Sequence, residues 1–459
     1  MFKRFIGTKE FYRRIFVLAI PIMIQNGITN FVNMLDNVMV GSIGTLEMTG
    51  VAVTNQLIFV FNLCIFGAIS GAGIFGAQFY GKGDEKGIRY TFRFKVIFCS
   101  ILCILGILLF VFYGNELIGL YMKGEGSASN IAASLKFARE YMLIMLIGLL
   151  PYTLAQCYSS TLRETDKAML PMIAGVIAVC VNLALNYTLI FGKFGAPKLG
   201  VNGAAIATVI SRFAELLIVA VWTRAKSNQN GFIKGAFRSF YIPASLIKDI
   251  TVKGLPLMLN ETLWASGMAA LSQCYSVRGL DVVAANNICQ TFFNVFSVVF
   301  ISTGVAIGII LGQQLGAGET ETAKDTCYKL IAFSVFVSVG IAIIYVVAAE
   351  FIPLMYNTES DVRLLATRLM QISAIAMPLD AFANAAYFTL RSGGKAGITF
   401  AFDSGFMWVV SVPVAFLLSR FTNVPILLLF AIVQSLYIIK DIIGFYFVRK
   451  GIWIRNLIE

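Results

Sequence analysis

The sequence predicts an all-α polytopic membrane protein, with twelve transmembrane helices in two six-helix bundles that are related by a parallel pseudo-twofold repeat. The first observation is composition: 58 % of the 459 residues are hydrophobic and only 13 % are charged, whereas soluble domains carry about 25 % charged residues. The second is that the apolar runs reach the length of a membrane-spanning helix, about 20 residues. The third is that sequence motifs of the first half return in the second half.

The apolar runs that define the predicted helices are separated by short polar connections. They lie near residues 15–40, 50–80, 94–113, 140–161, 169–191, 200–222, 253–275, 284–312, 328–349, 369–391, 397–418 and 424–447. Strands of a membrane β-barrel need only about 10 residues each, so runs of this length indicate helices. The longest connection is polar and basic, and we predict an N-terminal six-helix bundle (residues 1–222), a cytoplasmic linker (223–252) and a C-terminal six-helix bundle (253–459).

The repeat is visible in short motifs at matching positions of the two halves. Leu-Ala-Ile-Pro-Ile-Met at residues 18–23 returns as Lys-Gly-Leu-Pro-Leu-Met at residues 253–258, and the Gln-x-x-Gly-x-Gly motif that starts at Gln78 returns at Gln313. Six spans are an even number, so both halves run through the membrane in the same direction. Such a parallel repeat around a central cavity is a known plan of secondary transporters.

The distribution of positive charge predicts orientation and compartment. Lys and Arg are concentrated in the connections on one side, which the positive-inside rule assigns to the cytoplasm together with both termini. We interpret the apolar run that follows the basic residues before Ile15 as a first helix that is not cleaved. The net charge of +12 therefore indicates membrane topology and contact with anionic lipid headgroups, not binding of nucleic acid. We expect a monomer in the plasma or inner membrane.

Several classes of chemistry are disfavoured by what the sequence lacks. It contains no His and no Gly-x-x-x-x-Gly-Lys-Ser/Thr loop, so neither His-based catalysis nor nucleotide hydrolysis by that route is expected. Its 8 Cys residues form no Cys-x-x-Cys pair, and we interpret them as small apolar side chains. We therefore predict no catalytic residue, no cofactor and no metal site beyond a coupling ion, and uphill transport would need an ion gradient.

Acidic residues within the apolar runs are the main candidates for function. A charge in the bilayer costs at least about 2.5–3.5 kcal/mol, so an acid there needs a reason. The candidates are Asp36 in helix 1, Glu261 in helix 7, Asp380 in helix 10 and, more weakly, Asp403 in helix 11. Pro378 precedes Asp380 and frees backbone carbonyls, which favours a cation site there.

Other polar residues in the predicted helices have plainer explanations. Glu215 and Asp441 each have a base close by in their own helix, Arg212 and Lys440 respectively, and pairing within the helix is the expectation for both.

A second polar group lies on helices 5 and 6. Asn182 and Asn186 are four residues apart and face the same way, and Thr208 follows in helix 6. Alone, these residues are typical of hydrogen bonds between membrane helices. With Asp36 opposite, they could complete a cation or proton site.

These motifs together resemble those of the multidrug and toxic compound extrusion (MATE) family, nearest to its NorM-like branch. The resemblance covers essentially the whole chain and includes Ala-Ile-Pro-Ile-Met at residues 19–23, the stretch from Asn182 to Thr208 with Gly-Lys-Phe-Gly-Ala-Pro at residues 192–197, and Leu-Arg-Ser-Gly-Gly at residues 390–394. It implies a V-shaped pair of six-helix bundles that exports organic compounds, often cationic drugs, in exchange for H⁺ or Na⁺.

The resemblance also implies roles for particular residues. The helix 1 carboxylate, Asp36 here, works in the family with polar residues of helices 5 and 6, which match Asn182, Asn186 and Thr208. In NorM-like members a helix 7 Glu and a helix 10 Asp form a cation site, which would place Na⁺ at Glu261 and Asp380.

Two departures from the family pattern leave the coupling ion open. Some members have an acid where Asn186 stands, and some have Tyr one turn before the helix 10 Asp, where this chain has Ala376.

Two other classes of function compete with this prediction. A flippase for lipid-linked sugars would carry an anionic cargo and need a cavity rich in Arg and Lys, yet the predicted helices contain acids and few bases, such as Arg212 and Lys440. A membrane-embedded enzyme such as an acyltransferase is disfavoured by the lack of His. We therefore predict a transporter of small organic, often cationic, compounds, and not an enzyme.

Overall fold

The computed structural model describes residues 5–121, 128–356 and 358–459. Within these ranges the chain is helical and contains no strand. The long helices are α1 (Lys9–Gly41), α2 (Thr45–Lys82), α3 (Glu85–Tyr121), α4 (Ala128–Glu164), α5 (Met169–Phe191), α6 (Val201–Ala225), α7 (Ala244–Ser276), α8 (Leu280–Gly316), α9 (Thr320–Phe351), α10 (Ser360–Ser392), α11 (Ala396–Phe421) and α12 (Ile426–Lys450).

Among the described residues, 11 helices are long and apolar enough to cross a membrane. The remaining long helix, α7, has the length of a span, but Asn260, Glu261 and Gln273 interrupt its apolar stretch. Membrane helices keep such residues only where they face protein or ions. The predicted all-α polytopic class is confirmed.

The chain folds into two compact units. The N-terminal unit comprises Ile24–Gly76 and Asp84–Gly254, and the C-terminal unit comprises Met1–Met23, Ala77–Gly83 and Leu255–Glu459. Each unit therefore contains part of α1, part of α2 and part of α7. The division into residues 1–222, 223–252 and 253–459 stays a prediction.

The unit boundaries within α1 and α7 fall close to a proline in each helix. Pro21 lies in α1 and Pro256 lies in α7, at matching positions of the repeated Pro motif. Proline removes one backbone hydrogen bond from a helix and commonly bends it. The repeat in the sequence thus marks the positions at which both helices pass from one unit to the other.

The polar segment between α6 and α7 is packed against α3 within the N-terminal unit. Arg93 donates hydrogen bonds to the backbone carbonyls of Gly235 and Ala236, both at 2.7 Å. Phe92 contacts Phe232 edge to face with ring centroids 5.3 Å apart, and Phe232 is buried. The segment that the sequence suggests as a linker is therefore held to the N-terminal helices.

A buried ion pair joins α3 to α4 in the same unit. Lys95 Nζ lies 2.6 Å from both carboxylate oxygens of Glu164, and their side chains are 0 % and 5 % exposed. Gly76 of α2 makes room for this pair, because a Cβ atom there would lie 2.1 Å from Glu164 Oε2.

The repeated Gln-x-x-Gly motifs meet each other within the C-terminal unit. A Cβ atom on Gly81 would lie 1.8 Å from the carbonyl oxygen of Gln313, and one on Gly316 would lie 1.9 Å from that of Gln78. The ends of α2 and α8 therefore cross in backbone contact, and each motif supplies the glycine for the other. Reciprocal contacts of this kind are expected where two motifs related by a twofold axis meet.

Candidate functional site

Four polar residues form a hydrogen-bonded chain across α1, α5 and α6 in the N-terminal unit, and we call them the N-terminal cluster. Asn186 Nδ2 donates to Asp36 Oδ1 at 2.6 Å and to Asn182 Oδ1 at 3.0 Å. Asn182 Nδ2 donates to Thr208 Oγ1 at 3.2 Å, and Thr208 in turn donates to the carbonyl of Ala204 at 3.0 Å. The structure therefore brings together all four residues that the sequence grouped.

Helix geometry accounts for this arrangement. The four-residue spacing of Asn182 and Asn186 places both amides on one face of α5, and both are buried at 5 % and 0 % exposure. The Thr208 hydroxyl donates its hydrogen to a backbone carbonyl of its own helix, so its oxygen can accept the hydrogen bond from Asn182.

In the N-terminal cluster, a neutral amide is the hydrogen-bond donor to the Asp36 carboxylate. Asp36 accepts a hydrogen bond from the Asn186 amide, and Asn186 Oδ1 is buried without a hydrogen-bond partner in the described part of the chain. A carboxylate in a low-dielectric site is costly unless a proton or a cation neutralises it. The cluster is thus suited to take up a proton or a monovalent cation.

Acids and bases of α7, α10, α11 and α12 form a second group in the C-terminal unit, the C-terminal cluster. Its charged members are Glu261, Asp380, Arg391, Asp403, Lys440 and Asp441. Unlike the N-terminal cluster, it contains its own cations.

Glu261 has one neutral and one charged partner on α10. The Tyr387 hydroxyl donates to Glu261 Oε1 at 2.9 Å, and Arg391 Nη1 lies 3.8 Å from the same oxygen. Tyr387 and Arg391 are four residues apart, so one face of α10 provides both contacts.

Asp403 is the best-connected acid of the C-terminal cluster. Lys440 Nζ lies 2.7 Å from Asp403 Oδ1, and Asn260 Nδ2 donates to Asp403 Oδ2 at 3.0 Å. The Asn260 side-chain oxygen accepts a hydrogen bond from the Ser404 hydroxyl at 2.7 Å. Asp403 lies in a π-helical stretch of α11, Ala401–Gly405, and such wide turns occur often at functional sites.

Asp380 and Asp441 complete the cluster around Lys440. Asp380 interacts with the Tyr437 side chain and, electrostatically, with Lys440. Asp441 interacts with both Asp380 and Lys440, and its Oδ1 is buried without a hydrogen-bond partner in the described chain.

The structure therefore places Glu261 and Asp380 in one cluster but gives them different partners. Glu261 contacts Tyr387 and Arg391, whereas Asp380 interacts with Tyr437 and, electrostatically, with Lys440. Across the described ranges, no group of three or more His, Cys, Asp or Glu side chains is arranged to hold a metal ion. The cation site that the family resemblance assigns to these two acids stays a prediction.

Sequence reasoning missed the partners that complete the C-terminal cluster, namely Asn260, Tyr387, Arg391 and Tyr437, and it assigned Lys440 to Asp441. For Lys440 the sequence did contain a signal. A base inside an apolar helix, like an acid there, is expected to pair with an opposite charge on a neighbouring helix. For Arg391 the signal was that it lies four residues after Tyr387, so that both side chains lie on the same face of the helix. Neither signal identifies which helix supplies the partner.

The comparisons with known proteins agree with this architecture. The family model described as MatE matches residues 21–188 and 256–417. A probable multidrug resistance protein NorM of Thermotoga maritima is 24 % identical over 100 % of this chain and 97 % of its own length. The multidrug resistance protein MdtK of Yersinia pseudotuberculosis is 26 % identical over 88 % of this chain and 87 % of its own length.

Solved structures show the same fold. A multidrug resistance MATE family transporter in an outward-facing conformation superposes with a TM-score of 0.86 at 18 % identity, over 95 % of this chain and 96 % of its own. A Vibrio cholerae MATE transporter, VcmN, gives 0.86 at 18 % identity over 98 % of both chains.

Fold and relatives together define a polytopic membrane transporter of small molecules, and not an enzyme. The two matched ranges cover most of the chain and correspond to its two repeated halves. The chain therefore belongs to the MatE family of MATE transporters, as its motifs indicate.

Proposed function

We propose that this protein is a secondary active efflux transporter that exports small organic compounds, often cationic, in antiport with H⁺ or Na⁺. The relatives named above as multidrug resistance proteins support the substrate class. The observation that carries the coupling is the N-terminal cluster, where the Asp36 carboxylate accepts a hydrogen bond from the neutral amide of Asn186. Membrane carboxylates of this kind mark proton and ion relays.

The hydrogen bonds of the N-terminal cluster suggest how it responds to an ion. When Asp36 takes up a proton it becomes a donor as well as an acceptor, and Asn186 Oδ1 is a buried acceptor without a partner in the described chain. Protonation would therefore remove a charge and add a hydrogen bond to α5. Loss of the negative charge weakens the attraction for a cationic substrate, so ion uptake and substrate release oppose each other as antiport requires.

The other parts of the proposal concern the surroundings of the protein. The exporter acts as a monomer in the cell membrane, both termini are cytoplasmic, and the basic connections contact anionic lipids. It uses a coupling ion and no organic cofactor, and it has no nucleic-acid partner.

The experiment measures ethidium efflux from energised cells, with the proton gradient and the sodium gradient collapsed separately. The variants are the wild type, Asp36→Asn and Glu321→Gln; Glu321 is a matched control because its side chain is 83 % exposed in a surface ion pair. We expect efflux by the wild type and the control to stop when one gradient is collapsed, and Asp36→Asn to give the rate of cells with empty vector.

Wild-type efflux that survives the loss of both gradients would contradict the proposal. So would full efflux by Asp36→Asn, Glu261→Gln and Asp380→Asn alike. Absence of ethidium efflux from cells that contain the folded wild type would indicate a different cargo, such as a lipid-linked sugar.

A further inference from the structure

A lysine in α12 forms an ion pair with one acid of the C-terminal cluster. Lys440 is 5 % exposed, and its ammonium lies 2.7 Å from Asp403 Oδ1. It also interacts with the charges of Asp380 and Asp441. Asp403 is thus the ion-pair partner of Lys440, and Asp380 and Asp441 act on the ammonium group at longer range.

The remaining contacts of Lys440 are also those of a bound cation. Its Nζ lies 5.3 Å from the ring centroid of Phe402 and 5.3 Å from that of Tyr437. Ammonium groups at this distance are attracted by the ring faces. Lysine carries a compact point charge, so a carboxylate oxygen and two aromatic faces surround Nζ much as they would surround a small monovalent ion.

We propose that the Lys440 ammonium takes the place of an inorganic cation in the C-terminal cluster, and that Lys440 is therefore the residue that determines ion selectivity. With lysine present, the cluster does not bind Na⁺, because a second cation beside the ammonium would be repelled by it. The coupling ion then binds at Asp36. This inference rests on the proposed antiport function.

The ion pair between Glu261 and Arg391, in the same cluster, supports this inference. Arg391 lies 3.8 Å from Glu261, so this acid also has a cation from the protein itself. Only after the removal of Lys440 would the Asp403 carboxylate lack its ammonium partner, and carboxylate oxygens are the ligands that hard cations prefer.

The test measures thermal unfolding of the purified full-length protein during titration with NaCl, and with choline chloride at the same ionic strength. Every variant carries Asp36→Asn, so that only the C-terminal cluster can respond to Na⁺. A ligand that binds only the folded state raises the melting temperature in a saturable way. We expect no Na⁺-specific shift with Lys440 or with Lys440→Arg, and a saturable upward shift with Lys440→Met that adding Asp403→Asn abolishes.

A Na⁺-specific shift in the protein that retains Lys440, lost on Asp380→Asn, would overturn the inference. So would a folded Lys440→Met variant that does not respond to Na⁺. If Lys440→Met does not fold, Lys440→Gln replaces it, and the measurement on the protein with Lys440 remains decisive. Because the assay needs no transport, a negative efflux experiment and a negative Na⁺ titration are separate results.

Discussion

The N-terminal and C-terminal clusters handle buried charge in different ways. The first holds Asp36 with an amide chain from Asn186 to Thr208, whereas the second sets four acids against Lys440 and Arg391. A buried carboxylate with neutral partners gains stability by taking up an ion, while one already paired with a fixed cation does not. The contrast supports the proposal that ion exchange takes place at the first cluster and that the second keeps a fixed charge balance.

The backbone beneath the two clusters differs as well. Asn182 and Asn186 use the regular four-residue spacing of α5, whereas Asp403 lies in a π-helical stretch of α11. A wide turn changes the face on which the following residues lie. The C-terminal cluster therefore depends on local helix distortion as well as on helix packing.

The largest expected effect comes from removing the fixed cation of the C-terminal cluster. Lys440→Met leaves the Asp403 carboxylate, whose side chain is only 16 % exposed, without its ammonium partner, and breaking a buried ion pair in this way costs about 3–5 kcal/mol of stability. Adding Asp403→Asn should recover most of this loss, since the buried charge is then gone. Unfolding in mixed detergent micelles measures the stability of both variants. The control is Lys324→Met, which breaks a surface ion pair whose side chains are 45 % and 83 % exposed and should lower the stability by about 1 kcal/mol or less. Equal losses for the single and double variants would show that Lys440 acts through packing and not through charge.

An effect of intermediate size is expected from replacing Asn186, whose amide donates a hydrogen bond to Asp36. Asn186→Leu keeps the volume but removes the donor to Asp36 and the free acceptor, which costs about 1–3 kcal/mol of stability. Transport should suffer more than stability does, because no acceptor remains for a protonated Asp36. We expect a drop in ethidium efflux of at least about tenfold, equivalent to about 1.4 kcal/mol, in folded protein. Efflux near the wild-type rate would remove the amide chain from the mechanism.

The smallest effect is expected at the end of the amide chain. Thr208→Val removes one hydrogen bond from Asn182 and keeps the shape, and hydrogen bonds between membrane helices contribute about 0.6 kcal/mol on average. We expect a stability loss near that value and efflux within about threefold of the wild type. A complete loss of efflux in Thr208→Val would instead place Thr208 in direct contact with the ion.

Some features of the site follow from spacing alone. Because the period of a helix is fixed, Asn182 and Asn186 had to share a face, and an acid as deep in an apolar run as Asp36 needed a polar neighbour. The partners of Glu261 and Asp403 could not be found in this way. A period shows which residues of one helix lie together, but not which neighbouring helix they meet.

The sequence by itself determined the helical class and the parallel repeat, because bilayer length and even span number constrain these strongly. The helical period placed Asn182 and Asn186 on one face, and the family resemblance grouped them with Asp36 and Thr208. Only the tertiary structure decided that Lys440 pairs with Asp403 and not with its neighbour Asp441, and that the segment between α6 and α7 packs on α3. Adjacent residues of a helix point about 100° apart, so charges next to each other in sequence are directed toward different neighbours. The physical reason is that ion pairs depend on distance in space, which packing and the π-helical turns of α11 establish.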